Sequence, residues 1–308
     1  MTSSGASSVQ QRAKSKDAPP GEDAFTPAPS IRGGLVDCSV NLTHPSLSQQ
    51  PSAVLERAAR AGIGALVAVG TSETSSSQSA DLAAQLSQAS LIRLISTAGV
   101  HPHDASDASE NFEHNLSRLA ASPTVHAIGE CGLDFNRDFS PRDIQRDVFQ
   151  RQLRLAKSLG MPVLVHCRDA HESLVQALRH ENLPYEGSRV LVHCFTGTAE
   201  EASELVRLGC SIGVTGWLAD DREGRAEQVG AAVREVGLER LVIETDSPFL
   251  TPRNIKPSKR RPRTNEPSLL PHVVKAAAHA LDAPEEDVAE CTARNAREFF
   301  RMHLNDWG

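Results

Sequence analysis

The sequence predicts an α/β fold, a (β/α)8 TIM barrel, and three observations carry that prediction. From Leu35 onward, short β-branched or apolar runs alternate with longer segments of helical period, the pattern of strand-helix units around a parallel sheet. Eight such runs occur: Leu35 to Thr43, Ala65 to Thr71, Leu91 to His101, Val125 to Phe135, Pro162 to Asp169, Arg189 to Gly197, Cys210 to Leu218 and Arg240 to Leu250. Leu35 to Ala280 spans 246 residues, about 31 per unit, which suits a barrel of about 250 residues. An open doubly wound sheet is the alternative. No Gly-x-Gly-x-x-Gly follows the first run, which removes the usual reason to prefer a dinucleotide-binding sheet.

Residues 1 to 30 are rich in Ser, Ala and Pro, and beyond Met1 their only bulky apolar side chains are Val9 and Phe25. Such a segment buries too little surface to offset its ordering entropy, so a disordered N-terminal tail is expected ahead of one barrel domain over 31–308. Helix starts are signalled at Ser140-Pro141 with Asp143, at Thr198 with Glu201 three on, and at Asp282 with Glu285 three on. Leu269 to Leu281 and Glu285 to Phe300 read as the helices that close and cover the barrel.

The 308 residues are 39% hydrophobic and 23% charged with a formal charge of -7, which excludes a chain-wide basic coat but not a local basic patch. No apolar run approaches the about 20 residues that span a bilayer, and the start lacks a secretory apolar core. A cytoplasmic protein with no membrane partner is expected. Six scattered cysteines without a Cys-x-x-Cys pair fit reduced thiols. Cys131, Cys167 and Cys194 each follow a candidate ligand, and strand alternation should turn them toward the helices. With no heptad or long exposed apolar run, a monomer is expected.

Barrel enzymes carry their chemistry at the carboxyl ends of the strands. Polar residues recur there: Asn41, His101 and His103, Glu130, His166, His193, and Glu244 with Asp246. Glu130, His166, His193 and Asp246 are 36, 27 and 53 residues apart, which is one, one and two barrel units, so all reach the same rim. Buried charges need partners, and a divalent cation supplies one. This mixed oxygen and imidazole set suits Mg2+, with Mn2+ or Zn2+ tolerated. Glu244 and Asp246, two apart, should face the mouth together, Glu244 either sharing a proton with Asp246 or orienting a ligand.

After the eighth run, 253–263 carries six basic residues, Arg253 first, and no acid. Beside a metal it reads as a clamp for a phosphate backbone, with Arg168 as a further contact. Phe135, Phe195, Trp217 and Phe249 are the candidate stacking rings.

The stretches Val40-Asn41-Leu42-Thr43, Gly99-Val100-His101-Pro102-His103, Gly129-Glu130-Cys131-Gly132-Leu133-Asp134-Phe135, His166-Cys167-Arg168-Asp169, His193-Cys194-Phe195-Thr196-Gly197 and Glu244-Thr245-Asp246-Ser247-Pro248 resemble the TatD family of metal-dependent deoxyribonucleases, from about Leu35 to Phe300. The resemblance implies a metallo-dependent hydrolase barrel and 3′ to 5′ exonuclease activity on single-stranded DNA and RNA. It also implies metal ligands at Glu130, His166, His193 and Asp246, with Asp246 as the catalytic carboxylate and His101 touching the scissile phosphate. The wider superfamily has Asp-x-His-x-His on its first strand, whereas this chain has Asp37, Ser39 and Asn41, which argues against a tight two-metal site. Asn265-Glu266-Pro267 is also family-like, and its Glu is expected to orient the basic loop. Two other readings remain open at this stage: hydrolysis of an ester or amide such as an aminoacyl-RNA, and a non-catalytic nucleic-acid-binding scaffold.

Overall fold

The computed structural model describes residues 26–87, 90–184 and 189–303. The expected tail lies outside these residues as far as position 25. The main-chain N–H of Ala28 already donates to the Ala61 carbonyl at 3.2 Å.

Eight strands form one sheet: β1 (Leu35–Val40), β2 (Ile63–Ala68), β3 (Arg93–Ala98), β4 (Val125–Asp134), β5 (Val163–Arg168), β6 (Val190–Val192), β7 (Ser211–Val214) and β8 (Leu241–Ile243). Every neighbouring pair is parallel and in sequence order. β8 returns beside β1 through a parallel bridge between Val40 and Ser247, with Asn41 N donating to Ser247 O at 2.8 Å and Asp246 N to Ser39 O at 3.0 Å. The chain is a TIM barrel. All eight expected strands form, most of them shorter than their apolar runs. The clearest cases are β6 and β8, which stop before His193 and Glu244, so these two residues sit on the loops that leave the sheet.

Val36, Val67, Ile95, Leu164, Leu191 and Val242 fill the barrel interior and are stopped from below by Phe299, Phe300 and Met302. A second apolar layer lies between strands and helices, with Leu66, Ile128, Val165 and Ile212 against Leu55, Leu153, Leu174 and Val233. Emptying such a site by Phe300→Ala costs about 3–5 kcal/mol. No helix among the described residues is long and apolar enough to cross a membrane.

Thr198 and Glu201 form the expected capping box of helix Ala199–Arg207. The other two start signals read differently. Pro141 precedes helix Arg142–Leu159 with no side-chain cap, while Ser140 Oγ donates instead to the His103 carbonyl at 3.0 Å. Asp282, at φ +49°, ends helix Leu270–Leu281 rather than starting the next one, because a short polar side chain tolerates the left-handed C-cap. The next helix, Glu285–Phe299, follows Pro284.

Helix Arg142–Leu159 positions the upper rim. Its buried face repeats at Gln145, Val148, Phe149, Gln152, Leu153 and Ala156, and Gly160 at φ +62° ends it. Gln145 and Gln152, seven apart on that face, each grip a strand end by both amide atoms. Gln152 Oε1 accepts from Val100 N at 2.8 Å and its Nε2 donates to Val100 O at 2.9 Å. Gln145 Oε1 accepts from Asp134 N at 2.8 Å and its Nε2 donates to Asp134 O at 3.1 Å. The chain just before His101 and the end of β4 are thus fixed to one rigid element.

Candidate functional site

Glu130 lies at a register shift in β4, between Ile128 and Cys131, and is almost fully buried. Its Oε1 meets three imidazoles: His193 Nε2 at 2.8 Å, His101 Nε2 at 3.1 Å and His166 Nδ1 at 3.1 Å. Burial alone would raise the Glu130 pKa, but His193 and His101 outweigh it and hold the carboxyl well below the usual range. Burial likewise opposes charge on His193, and the Glu130 and Glu244 carboxylates reverse that and raise it well above an ordinary histidine. His101 goes the other way, lowered to about 4 chiefly by burial, with His166 and His103 adding to it. Its Nδ1 accepts from the main-chain N–H of His103 at 3.1 Å.

Asp134, four residues beyond Glu130 on β4, is a member of the cluster that the sequence reading did not select. Its Oδ2 is 2.7 Å from His103 Nε2 and 3.3 Å from His166 Nε2. Burial raises its pKa, but hydrogen bonds from His103 and His166 prevail and keep it ionised far below the usual range. His166 therefore stands between two carboxylates, and against the effect of burial the Asp134 and Glu130 contacts raise its pKa. A second acidic residue an even number of positions along the same strand was the available signal.

Asp246 and Glu244 do not face the mouth side by side, because β8 has ended and Asp246 adopts φ +53°. Glu244 turns under β6, where its Oε1 accepts from Cys194 N and lies 3.6 Å from His193 Nδ1. Gly213 makes the room: a Cβ there would stand 2.8 Å from that oxygen. Asp246 Oδ1 is approached by Asn41 Nδ2 at 3.4 Å and Ser39 Oγ at 3.5 Å. Burial first, then the charges of Glu130 and Glu244, raise the Asp246 pKa to about 7 against the pull of His193 and His166. Asp37, at the bottom of this group, accepts from Thr245 N at 2.8 Å and Thr245 Oγ1 at 2.6 Å.

On the flanking loops, the Arg168 guanidinium carbon lies 5.2 Å from the Trp217 ring centroid, and Arg225 lies over the same ring at 4.5 Å. Arg253 faces Asp220, Nε to Oδ1 3.4 Å, and not the histidine cluster. Glu266 does not orient the basic loop as expected. It is buried and holds Arg57 of helix Pro51–Arg60 by two contacts, at 2.7 and 3.1 Å, because that helix packs directly beneath it. The loop is steadied instead by Asn265, whose Nδ2 donates to Thr245 O at 2.9 Å and Phe249 O at 2.6 Å. Among the expected stacking rings, Phe195 is buried in the core and Phe135 lies under Arg142 and Arg146, whereas Phe249 is 49% exposed. Phe139, 67% exposed and edge-on to His103 with centroids 4.7 Å apart, is a rim ring the sequence reading did not name. Cys131 and Cys167 pack toward the helices as expected. Cys194 departs, because φ +45° beyond the end of β6 breaks the alternation and brings its Sγ within 3.8 Å of Thr215 Oγ1.

His101, Glu130 and His166 form a group able to hold a metal ion, with ligating atoms within 4.8 Å of one another. His193 shares the same Glu130 oxygen, and Asp246 lies on the adjoining loop. The donor set fits a divalent cation in a second respect. His193 turns its other ring nitrogen, Nδ1, toward the buried Glu244 carboxylate, Oε1 3.6 Å away, the kind of partner that a metal-bound imidazole takes on its far side.

The family model for TatD-related DNases matches residues 36–301. The chain is 41% identical over 268 residues to the 3′-5′ ssDNA/RNA exonuclease TatD of Edwardsiella piscicida, covering 87% of this chain and 100% of that protein. It is 43% identical over 269 residues to the protein of the same name from Erwinia amylovora, again covering 87% and 100%. Among solved structures it is similar to YjjV, a TatD homologue from Escherichia coli, with TM-score 0.78 and 26% identity over 89% of this chain and 100% of that one. With a barrel of the same architecture, a histidine-carboxylate cluster at its rim and these relatives along most of its length, the chain belongs to the TatD-related DNase family.

Proposed function

We propose that this chain is a metal-dependent 3′ to 5′ exonuclease that hydrolyses phosphodiester bonds of single-stranded DNA and RNA. The observation that supports it best is the convergence of His101, His166 and His193 on one oxygen of buried Glu130, beside Asp246 and within reach of arginine-bearing loops. Substrate class and direction come from the relatives of that name at 41 and 43% identity.

Glu130, His166, His193 and Asp246 would hold the ion, Mg2+ by preference, with Mn2+ or Zn2+ as substitutes. Hydrogen bonding favours this set over one that includes His101. A neutral imidazole has one N–H and one lone pair, and His103 N already occupies the His101 Nδ1 lone pair at 3.1 Å, so its Nε2 carries the proton and donates. His166 can donate Nε2–H to Asp134 and keep the Nδ1 lone pair on the Glu130 side, and His193 can direct Nδ1–H toward Glu244 and keep Nε2 free. When bound, a divalent cation polarises a phosphoryl oxygen and lowers the pKa of a water molecule.

The side chains then have separate tasks. Asp246 accepts the proton of the attacking water, while Asn41 fixes its carboxylate. Glu244 holds His193 and shares the negative charge of the site with Asp246. His101, whose Nε2–H rests on Glu130 Oε1 at 3.1 Å without substrate, turns that donor to an oxygen of the scissile phosphate once substrate is bound, with His103 orienting its ring through the main chain. Arg168 and Arg253 contribute positive charge to the neighbouring phosphates. The protein is a single-chain catalyst on this reading. A panel of single-stranded DNA, single-stranded RNA, aminoacylated RNA and small amides, each with Mg2+ and with EDTA, tests it. EDTA-sensitive loss of nucleotides from the nucleic acids is expected, and turnover confined to the aminoacyl ester or the amides would contradict it.

A further inference from the structure

The most exposed large apolar side chain among the described residues is Leu91, at 94%, and it stands at the lip of an apolar cleft of about 470 Å³. A lone exposed leucine is ordinary, but one beside an apolar cleft marks a contact surface. Leu55 and Ala59 of helix Pro51–Arg60 form one wall, and Leu86, the last residue of helix Glu73–Leu86, forms the other. Glu56 and Arg60 stand exposed beside the cleft, about one helical turn apart, and make no ion pair among the described residues. Leu91 lies just before β3, which starts at Arg93, so the cleft is at the end of the barrel where the strands begin, away from the histidine cluster.

An apolar knob next to an apolar hole, with one acid and one base beside them, is complementary to a second copy of itself. We propose that this face is a two-fold homodimer interface, in which Leu91 of each protomer enters the cleft between Leu55 and Leu86 of its partner. Two copies of helix Pro51–Arg60 laid antiparallel about the axis set Glu56 of each protomer against Arg60 of the other, so both unpaired charges are matched at once. The patch is assembled from two helices and the segment after the second, so no single run of sequence displays it. The N-terminal segment is the poorer occupant. The chain enters close by, where Ala28 N donates to Ala61 O at 3.2 Å, but residues 1–25 offer only Val9 and Phe25 as bulky apolar side chains beyond Met1. Both catalytic rims stay open in such a dimer. Each protomer remains a complete catalyst, and the inference does not depend on the nuclease reading.

The test is sedimentation velocity of the full chain from about 1 to about 200 µM, the range in which small interfaces associate. The wild type should pass from the mass of one chain to that of two. Burying a leucine is worth about tenfold or more and symmetry counts it twice, so Leu91→Asp should raise the dimer dissociation constant at least about 100-fold. Glu56→Arg and Arg60→Glu each set like charges face to face at both pairs and should weaken the dimer at least about fourfold. An equimolar mixture of these two variants should recover wild-type affinity as a heterodimer, because every facing pair is again one acid and one base. All three positions are exposed, so the substitutions leave the core untouched. A wild type that stays monomeric throughout overturns the proposal, and if deletion of residues 1–25 then produces a dimer, the N-terminal segment is the occupant. A dimer that Leu91→Asp leaves as tight as wild type, or a mixture that regains nothing, places the interface elsewhere and overturns it too.

Discussion

Nδ1 of His101 accepts a hydrogen bond from the main-chain N–H of His103 at 3.1 Å, so the ring presents its other nitrogen, Nε2, to Glu130 as a donor. Two residues separated by a single proline along the chain thereby divide the histidines of the rim. On the proposed ligand set His101 is a hydrogen-bond donor, and His166 and His193 keep a lone pair for an ion.

His101→Ala should therefore leave the bound metal in place while lowering kcat by about 10²-fold, the loss of one preorganised donor. His193→Ala should lose the ion. Metal content per chain, measured by inductively coupled plasma mass spectrometry after gel filtration, separates the two, and metal loss in His101→Ala would contradict the division.

Asp134 orients His166 through the 3.3 Å contact to Nε2. Asp134→Asn should weaken metal affinity by about 10–100-fold, the usual effect of losing a partner of this kind. Competition with a chelating dye reads the affinity directly, and an unchanged value would show that His166 needs no such partner.

The barrel itself was legible in the sequence, and so was which rim carries the chemistry. Parallel strands buried on both faces require apolar runs, and polar residues at their ends stand out against those runs. Asp134 was legible only by its spacing, four residues beyond Glu130 on the same strand, because its significance depends on His103 and His166 arriving from other units. The divergence of Glu244 and Asp246 was not legible, since it follows from β8 ending at Ile243 and from φ +53° at Asp246. Gln145 and Gln152 looked like ordinary helix residues until the strand ends they grip were in place. Arg57, 209 positions from Glu266, is paired by the fold alone.

That pair has a consequence for stability. Arg57 and Glu266 have side chains 15% and 4% exposed, so Arg57→Met leaves a carboxylate buried and unpaired. Burial already raises the Glu266 pKa, with Arg57 opposing it. A loss of about 3 kcal/mol is expected in urea unfolding, largely restored by Arg57→Met/Glu266→Leu. A single-variant cost near zero would mean the pair is solvated in practice.

Stability of the chelator-treated protein should fall between pH 6.5 and pH 8. Burial raises Asp37 from 3.8 to about 8, so across that interval the folded chain retains a proton that the unfolded chain has released, and rising pH favours unfolding. His166 and His193 act in the same direction, since their raised pKa values confer stability that is complete below the ordinary histidine value of 6.5 and is lost above it. Urea midpoints across the window measure this. Asp37→Asn should flatten the slope, and a midpoint that rises with pH would contradict the assignment.

The most direct test of the central claim is a time course on 3′-labelled and 5′-labelled single-stranded DNA and RNA with Mg2+, with and without EDTA, comparing wild type with Asp246→Asn. The 5′-labelled strands should shorten stepwise while the 3′ label is released at once, only with metal, and about 10²–10⁴-fold more slowly in the variant. Stepwise release from the 5′ end, internal cuts, or undiminished turnover by Asp246→Asn would contradict it.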